Sequence, residues 1–216
     1  MPKSRDLVFL LPAALVILGG GVLSIVSNRE AIHLVINGWN NPVVDFLFRW
    51  WTYLGDGVWA GVLALAFLLY RVRYGLILFS AYALSGLLAQ LLKHVFFSDM
   101  PRPAKYFELA GKPEALHLVP GVRLYDWHSF PSGHTATAFG VFFALSLLVR
   151  DNRIKILCFI LAAGVGWSRM VLSQHFLMDV TAGAFLGLSG GYVSWRWLHA
   201  KTAPWMDKSL IKIVFS

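Results

Sequence analysis

The sequence predicts an all-α protein of the membrane, in which a bundle of six transmembrane helices forms a single domain over residues 1–216. Two features lead to this prediction. Hydrophobic residues make up 57% of the chain and charged residues only 14%, whereas a soluble domain has about 25% charged residues. The apolar residues are also gathered into long runs. This composition excludes a disordered chain, a coiled coil and a typical cytosolic enzyme.

Six apolar runs are candidates for the roughly 20 residues that a spanning helix needs. They lie at 7–26, 50–70, 75–97, 135–149, 154–167 and 178–198. Lys3 and Arg5 precede the first run as in a signal peptide, but that run exceeds the roughly 7–15 apolar residues usual for such a signal. We therefore expect an uncleaved anchor. The Trp-rich stretch between the first two runs predicts a helix at the membrane interface, which aromatic residues favour.

Charge predicts the orientation, because loops on the cytoplasmic side carry an excess of Lys and Arg. With the N-terminus inside, the inside segments hold 11 of the 19 basic residues and three of the 11 acidic residues. The outside segments then have no net charge, so we expect both termini in the cytoplasm. The basic residues are scattered between apolar runs rather than clustered, which argues against a nucleic-acid partner.

Small residues form a stripe in the sixth run, where Gly183, Gly187 and Gly191 lie four residues apart. Such a stripe lets another helix approach closely. The approaching helix belongs either to the same bundle or to a second copy of the chain, so the oligomeric state stays open. Cys158 is the single cysteine, which excludes an intrachain disulfide and a multi-cysteine zinc site.

Three groups of polar residues stand at the ends of predicted spans. A charge at membrane depth is costly and marks a functional site by default. Lys93 lies near the end of the third span, and Arg102 follows it. Residues 131–134 precede the fourth span, and residues 168–179 join the fifth span to the sixth. In the expected orientation all three groups lie at the outer face of the membrane.

Two histidines and an aspartate give these groups a chemistry. His175 and Asp179 are four residues apart, so on a helix they would share a face. A carboxylate on one imidazole nitrogen fixes the tautomer and leaves the other nitrogen as a nucleophile or base. His134 supplies a second imidazole, which can donate a proton and later accept one from water. The same three side chains are also a possible zinc site.

Positive charge decides between these chemistries. Lys93, Arg102 and Arg169 provide three cations, and the arginine fork suits phosphate oxygens. Ser132 and Gly133 stand where a loop becomes a helix, and free N–H groups there favour an anion. Three cations would repel a divalent ion, so we expect neither a metal nor a cofactor. The arrangement predicts phosphoryl transfer, in which the protein positions groups and neutralises charge.

The polar residues resemble the motifs of the type 2 phosphatidic acid phosphatase (PAP2) superfamily, which includes bacterial lipid phosphatases, glucose-6-phosphatase and the vanadium haloperoxidases. The family motif Pro-Ser-Gly-His matches residues 131–134, and Ser-Arg-x5-His-x3-Asp matches residues 168–179. The run 52–57 resembles the family's second span more weakly. The resemblance covers roughly residues 40–197 and implies a six-helix bundle with a PAP2/haloperoxidase-like core.

The remaining family motif, Lys-x6-Arg-Pro, is longer in this chain, because eight residues separate Lys93 from Arg102. Seven steps along a helix turn it by roughly 700° and nearly restore the face, whereas nine steps turn it by roughly 900° and reverse the face. One continuous helix cannot aim both side chains at one point. The chain is therefore predicted to leave the helix between them, near Ser98–Pro101.

The resemblance also implies roles for the residues. His175 would attack phosphorus and become a phosphohistidine, Asp179 would orient it, and His134 would protonate the leaving oxygen and then activate water. The phosphate oxygens would be held by the other polar residues of the motifs, which are Lys93, Arg102, Arg169, Ser132 and the N–H of Gly133. Family members need no metal.

The expected substrate is a phosphate monoester or pyrophosphate on a membrane lipid: undecaprenyl pyrophosphate, phosphatidylglycerophosphate or phosphatidic acid. A lipid A phosphatase and a lipid phosphotransferase are alternatives that use the same site. A non-enzymatic lipid or anion carrier is a remote alternative, since a carrier does not need the His175–Asp179 pair. We expect the protein in a bacterial inner membrane, with its site facing the periplasm or exterior.

Overall fold

A computed structural model describes residues 6–214, and this part of the chain is helical and contains no strand. Ten α-helices follow one another in the described range. They are α1 (Leu7–Val26), α2 (Arg29–Asn37), α3 (Pro42–Trp51), α4 (Gly57–Tyr70), α5 (Val72–Val95), α6 (Pro103–Leu109), α7 (Gly133–Leu148), α8 (Asn152–Val171), α9 (Leu177–His199) and α10 (Leu210–Val214). A short 3₁₀ helix, Thr52–Gly55, joins α3 to α4.

Polar side chains set where several helices begin. Five helices start at an Asn, Asp or Ser whose side-chain oxygen accepts a hydrogen bond from a backbone N–H of the first turn. These capping residues are Asn28, Asn41, Asp56, Ser132 and Asp151. Such caps satisfy N–H groups that have no partner inside the helix. A hydropathy pattern does not detect capping residues. The predicted spans therefore begin two residues after the true starts of α7 and α8.

Five of the predicted spans each correspond to one helix, and the second combines the end of α3, the 3₁₀ helix and α4. α1, α5 and α8 are long and apolar enough to cross a membrane by length and composition. The second span is bent by 57° where the segment Pro42–Gly55 meets α4, and it makes a fourth crossing if the bent pair counts as one. α7 has only 16 residues. The total of six spans therefore stays a prediction, while the all-α membrane architecture is confirmed.

The glycine stripe of α9 packs against α7 inside the bundle. A Cβ atom on any of the three glycines would lie 2.5–2.6 Å from a carbonyl oxygen of α7 or its cap. The three pairs are Gly183 with Ser132, Gly187 with Ala136, and Gly191 with Gly140. The two backbones can approach this closely because no side chain stands between them. The stripe thus serves the bundle, as the first of the two sequence interpretations proposed.

Replacing Gly187 by alanine is expected to destabilise the protein by about 1–3 kcal/mol, the usual cost of overpacking a tight contact. The new Cβ would meet the Ala136 carbonyl oxygen at 2.5 Å and the Phe139 Cβ at 2.7 Å. The measurement is the thermal unfolding midpoint in detergent. Gly61→Ala is the matched control, because nothing lies within 4 Å of a Cβ at that helical position. Equal midpoints for the two variants would contradict the packing argument.

Ion pairs tie both ends of the described chain to one end of the bundle. Arg73, at the start of α5, makes two 2.9 Å hydrogen bonds to the carboxylate of Asp207 and also donates to the carbonyl of Leu198 at 2.6 Å. Lys155, at the start of α8, is fully buried and binds Asp6 at 2.7 Å. The first and last described segments therefore lie together, at the end where α5 and α8 begin.

Candidate active site

A cavity of about 490 Å³ lies at the opposite end of the bundle, where α5 and α8 end and α7 and α9 begin. The structure brings six of the eight predicted site residues to its wall, and these are Lys93, Arg102, Gly133, His134, Arg169 and His175. They come from helix ends far apart in sequence. Because these helices alternate in direction, their functional ends meet at one end of the bundle.

Lys93 and Arg102 reach the same cavity despite the longer spacing of their motif. α5 ends at Val95, a few residues before the predicted exit at Ser98–Pro101, so Lys93 lies in its last turn. The chain then turns, and the N–H of Arg102 donates to the carbonyl of Asp126 at 2.8 Å. Both cationic side chains are buried. The two extra residues are accommodated by the loop rather than by the helix.

His175 is held from behind by Asp179. The Nδ1 atom of His175 lies 3.4 Å from Oδ2 of Asp179, and both residues are buried. The same oxygen accepts hydrogen bonds from the Ser129 hydroxyl at 2.5 Å and from the N–H of Phe176 at 2.9 Å. A carboxylate at Nδ1 favours the tautomer with its proton there, which leaves the lone pair on Nε2.

The expectation that His175 and Asp179 share a helix face is wrong in detail. His175 precedes α9, which begins at Leu177. Asp179 is the third residue of that helix, and its carboxylate turns back over the helix start to reach the loop. The contact is thus a helix-cap geometry rather than a neighbour relation along one helix, and it fixes the loop that carries His175.

Burial and positive charge keep His175 neutral. Removal from water, followed by the positive charges of Arg102, Arg169 and Lys93, holds the pKa of His175 well below 6.5. Each of these causes disfavours the protonated ring. The neutral form of the imidazole, which carries the lone pair on Nε2, is therefore favoured.

The two arginines are fixed by neutral polar side chains. Gln174 accepts hydrogen bonds through Oε1 from Arg102 at 3.3 Å and from Arg169 at 3.2 Å. Arg169 also donates to the hydroxyl of Thr52 at 2.8 Å. Within residues 6–214, neither arginine nor Lys93 forms an ion pair with a carboxylate. Three positive charges thus face the cavity with their capacity for an anion intact.

Ser132 does not line the cavity as the sequence predicts. The side chain of Ser132 is fully buried and caps α7. Its hydroxyl oxygen accepts hydrogen bonds from the hydroxyl of Thr135 at 2.9 Å and from the backbone N–H of Thr135 at 3.4 Å. Its own N–H donates to the carbonyl of Asp179 at 2.9 Å. Ser132 therefore joins the starts of α7 and α9, and the cavity wall begins with Gly133 and His134.

Sequence reasoning missed Gln174, Thr52 and Ser129, which are neutral and carry no charge signal. It noted the run 52–57 only for its weak resemblance, yet the structure places this run along the cavity. A Cβ at Gly55 would lie 2.5 Å from the carbonyl oxygen of His134. Glycine is required there because the 3₁₀ segment packs directly on the start of α7.

Comparison with known proteins agrees with this architecture. The model of the PAP2 superfamily matches residues 74–203. The lipid A 4'-phosphatase of Porphyromonas gingivalis is 27% identical over 194 residues, which cover 86% of this chain and 79% of that protein. The lipid A 1-phosphatase of Rhizobium etli is 31% identical over 119 residues, which cover 55% of this chain and 48% of that protein.

Two solved structures share the fold. The crystal structure of LpxE from Aquifex aeolicus superposes with a TM-score of 0.64 at 30% identity, covering 77% of this chain and 93% of that one. The PAP2-type phosphatidylglycerolphosphate phosphatase of Bacillus subtilis superposes with the same TM-score at 22% identity, covering 93% and 99%. The chain therefore belongs to the PAP2 superfamily, as a lipid phosphatase embedded in the membrane.

Proposed function

We propose that the protein removes phosphate from a membrane lipid by way of a phosphohistidine at His175. One observation carries this proposal. His175, backed by Asp179, faces a cavity that also holds His134 and three cations without carboxylate partners. A nucleophile, an acid and an anion-binding surface are what a two-step displacement at phosphorus requires.

The reaction proceeds in two displacements. Nε2 of His175 attacks phosphorus, the bond to the lipid oxygen breaks, and His134 gives that oxygen a proton. In the second step a water molecule attacks the phosphohistidine and gives its proton to His134, and the bond between phosphorus and nitrogen breaks. Free phosphate, neutral His175 and protonated His134 result. Lys93, Arg102 and Arg169 neutralise the charge that accumulates on the phosphoryl oxygens.

The shape of the cavity supports a lipid substrate. Its wall follows α5 from Lys93 back to Tyr82, a distance of roughly 16 Å at the helical rise of about 1.5 Å per residue. This part of the wall includes Ala83, Gly86 and Leu87. A phosphate bound at Lys93 would thus leave an attached acyl chain lying in an apolar groove within the bilayer.

Among lipid phosphates, we place lipid A first. The sequence alone favours undecaprenyl pyrophosphate, phosphatidylglycerophosphate or phosphatidic acid and keeps lipid A as an alternative. Two relatives at 27% and 31% identity are named as lipid A phosphatases, which supports reversing that order. We further propose that the cavity faces the periplasm, because Arg73, Lys155 and the first and last described segments lie at the opposite end of the bundle.

The experiment is phosphate release by the detergent-purified chain, with EDTA present. Lipid A, undecaprenyl pyrophosphate, phosphatidylglycerophosphate and phosphatidic acid are compared in parallel. We expect EDTA-resistant release, fastest from lipid A. EDTA-sensitive release would revive the zinc alternative, and phosphate found on an added acceptor lipid would indicate phosphotransfer. Binding of every lipid without release would favour a carrier.

A bulky side chain in the groove on α5 should lower the activity on lipid substrates and leave the activity on small substrates unchanged. A Cβ atom at Gly86 would meet only the ring of Tyr82 within 4 Å, at 4.0 Å. Because Gly86 lines the cavity, we expect the side chain of Gly86→Phe to occupy part of the groove. We expect its activity on lipids to fall at least about tenfold, since one lost apolar contact of this size costs 1.4 kcal/mol or more. Activity on p-nitrophenyl phosphate should be unchanged. Gly61→Phe on α4 is the control, and equal lipid rates in both variants would contradict the groove.

A further inference from the structure

Asp56, at the start of α4, makes contacts through both of its carboxylate oxygens. Its Oδ1 accepts a hydrogen bond from the N–H of Val58 at 2.8 Å, which caps the helix. Its Oδ2 lies 3.9 Å from Nε2 of His134, on α7. Capping needs only one oxygen of the side chain. The second oxygen, which the cap leaves unused, points toward the ring of the expected general acid.

The contact with Asp56 matters for the protonation of His134, because the other charges around this ring are positive. Lys93 on α5, Arg102 at the start of α6 and Arg169 on α8 all line the cavity that the His134 ring faces, and neutral His175 lines it from the loop before α9. Three cations oppose protonation of an imidazole. Asp179 lies behind His175 and is committed to Ser129, Phe176 and His175. Among the described residues, Asp56 is the carboxylate that comes within 4 Å of His134.

We propose that Asp56 is a positioning residue that acts through His134, favouring the protonated form of its ring and aiming it at the leaving oxygen during the first displacement. This inference rests on the proposed function and adds a residue to it. At 3.9 Å the carboxylate is beyond hydrogen-bond distance from Nε2. Nε2–H is therefore free to reach the leaving oxygen, while the single negative charge beside it counteracts part of the effect of the three cations.

The inference has a chemical signature. A lipid alkoxide or sugar oxygen is a poor leaving group and needs a proton as its bond to phosphorus breaks. p-Nitrophenolate leaves readily without one. Loss of a group that supports the general acid must therefore slow the first displacement with the first class of substrate and spare it with the second. A fault in helix capping or in phosphate binding would slow both.

The test compares Asp56→Asn with wild type on lipid A and on p-nitrophenyl phosphate, using the full chain in detergent. Asparagine keeps the cap, because its amide oxygen can accept from Val58, and it removes the charge. Asp151→Asn is the matched control. Asp151 caps α8 through an equivalent 2.7 Å bond to the N–H of Arg153, and this cap lies at the other end of the bundle. Asp56→Ser, which also retains a capping oxygen, covers the case in which Asp56→Asn does not fold.

We expect kcat on lipid A to fall at least about tenfold in Asp56→Asn, with KM and the rate on p-nitrophenyl phosphate little changed. Asp151→Asn should match wild type on both substrates. Equal losses on the two substrates, a loss confined to KM, or no loss at all would overturn the role of Asp56. If wild type released phosphate from neither substrate, the proposed function itself would fail, and this result is distinct from an active wild type with an unaffected variant.

Discussion

Replacing His175 with alanine is expected to abolish phosphate release, with a loss of at least about 10⁴-fold, as follows when a covalent nucleophile is removed. The side chain lines the cavity, so its truncation enlarges the cavity without disturbing α8 or α9. The measurement has two parts: the rate on lipid A, and the yield of acid-labile phosphoprotein after rapid quenching. Wild type should give a phosphohistidine and the variant should give none.

His199→Ala is the control for this experiment. His199 is exposed at the far end of α9, where its ring stacks on Trp195 with a centroid distance of 5.2 Å. Its loss should leave the rate and the phosphoprotein yield unchanged. Near-wild-type turnover in His175→Ala, or a phosphoprotein that persists in that variant, would mean that another group attacks phosphorus.

Asp179→Asn is expected to lower kcat by about 10²–10⁴-fold while leaving the fold intact, by analogy with the loss of the orienting aspartate in a catalytic triad. The donors from Ser129, His175 and Phe176 converge on Oδ2 alone. An asparagine can therefore present its amide oxygen to all three, and the variant removes the negative charge that stabilises His175 as the bond to phosphorus forms. Steady-state kinetics and the unfolding midpoint are measured together.

Ser129→Ala provides the comparison for Asp179→Asn. It deletes one of the three hydrogen bonds and keeps the carboxylate charge, so its rate should fall by less than about tenfold. If Asp179→Asn also lost less than tenfold, the charge of Asp179 would not matter to the reaction. If its unfolding midpoint dropped sharply, the role of Asp179 would be to cap α9.

The sequence predicts the helices and the site, because both involve residues whose placement has a large free-energy cost. Long apolar runs predict helices because few other structures bury them, and charged residues at the ends of those runs predict a site because charge is expensive there. Lys93, Arg169 and His175 were found in this way, and the structure gathers them around one cavity.

The other features of the site depend on neutral polar residues and on tertiary contacts, which a hydropathy or charge pattern does not reveal. Gln174 joins the two arginines through a neutral amide, and Thr52 does the same for Arg169 through a hydroxyl. Neither residue type stands out beside an apolar run. The 57° bend of the second span lies next to Gly55, which packs against the backbone of His134, and hydropathy does not record contacts between distant segments.

The contact between α7 and α9 runs from the proposed site toward the middle of the bundle. His134 lies at the start of α7 and Asp179 at the start of α9. A hydrogen bond from the N–H of Ser132 to the carbonyl of Asp179 joins the two helix starts. Below that bond the two backbones touch at each turn down to Gly191. The spacing between His134 and Asp179, which holds the loop of His175, is thus set by the packing of these two helices. A side chain that separated the helices at Gly191, two turns from Gly183, would move Asp179 relative to His134, so glycines remote from the cavity help to set the geometry of the proposed site.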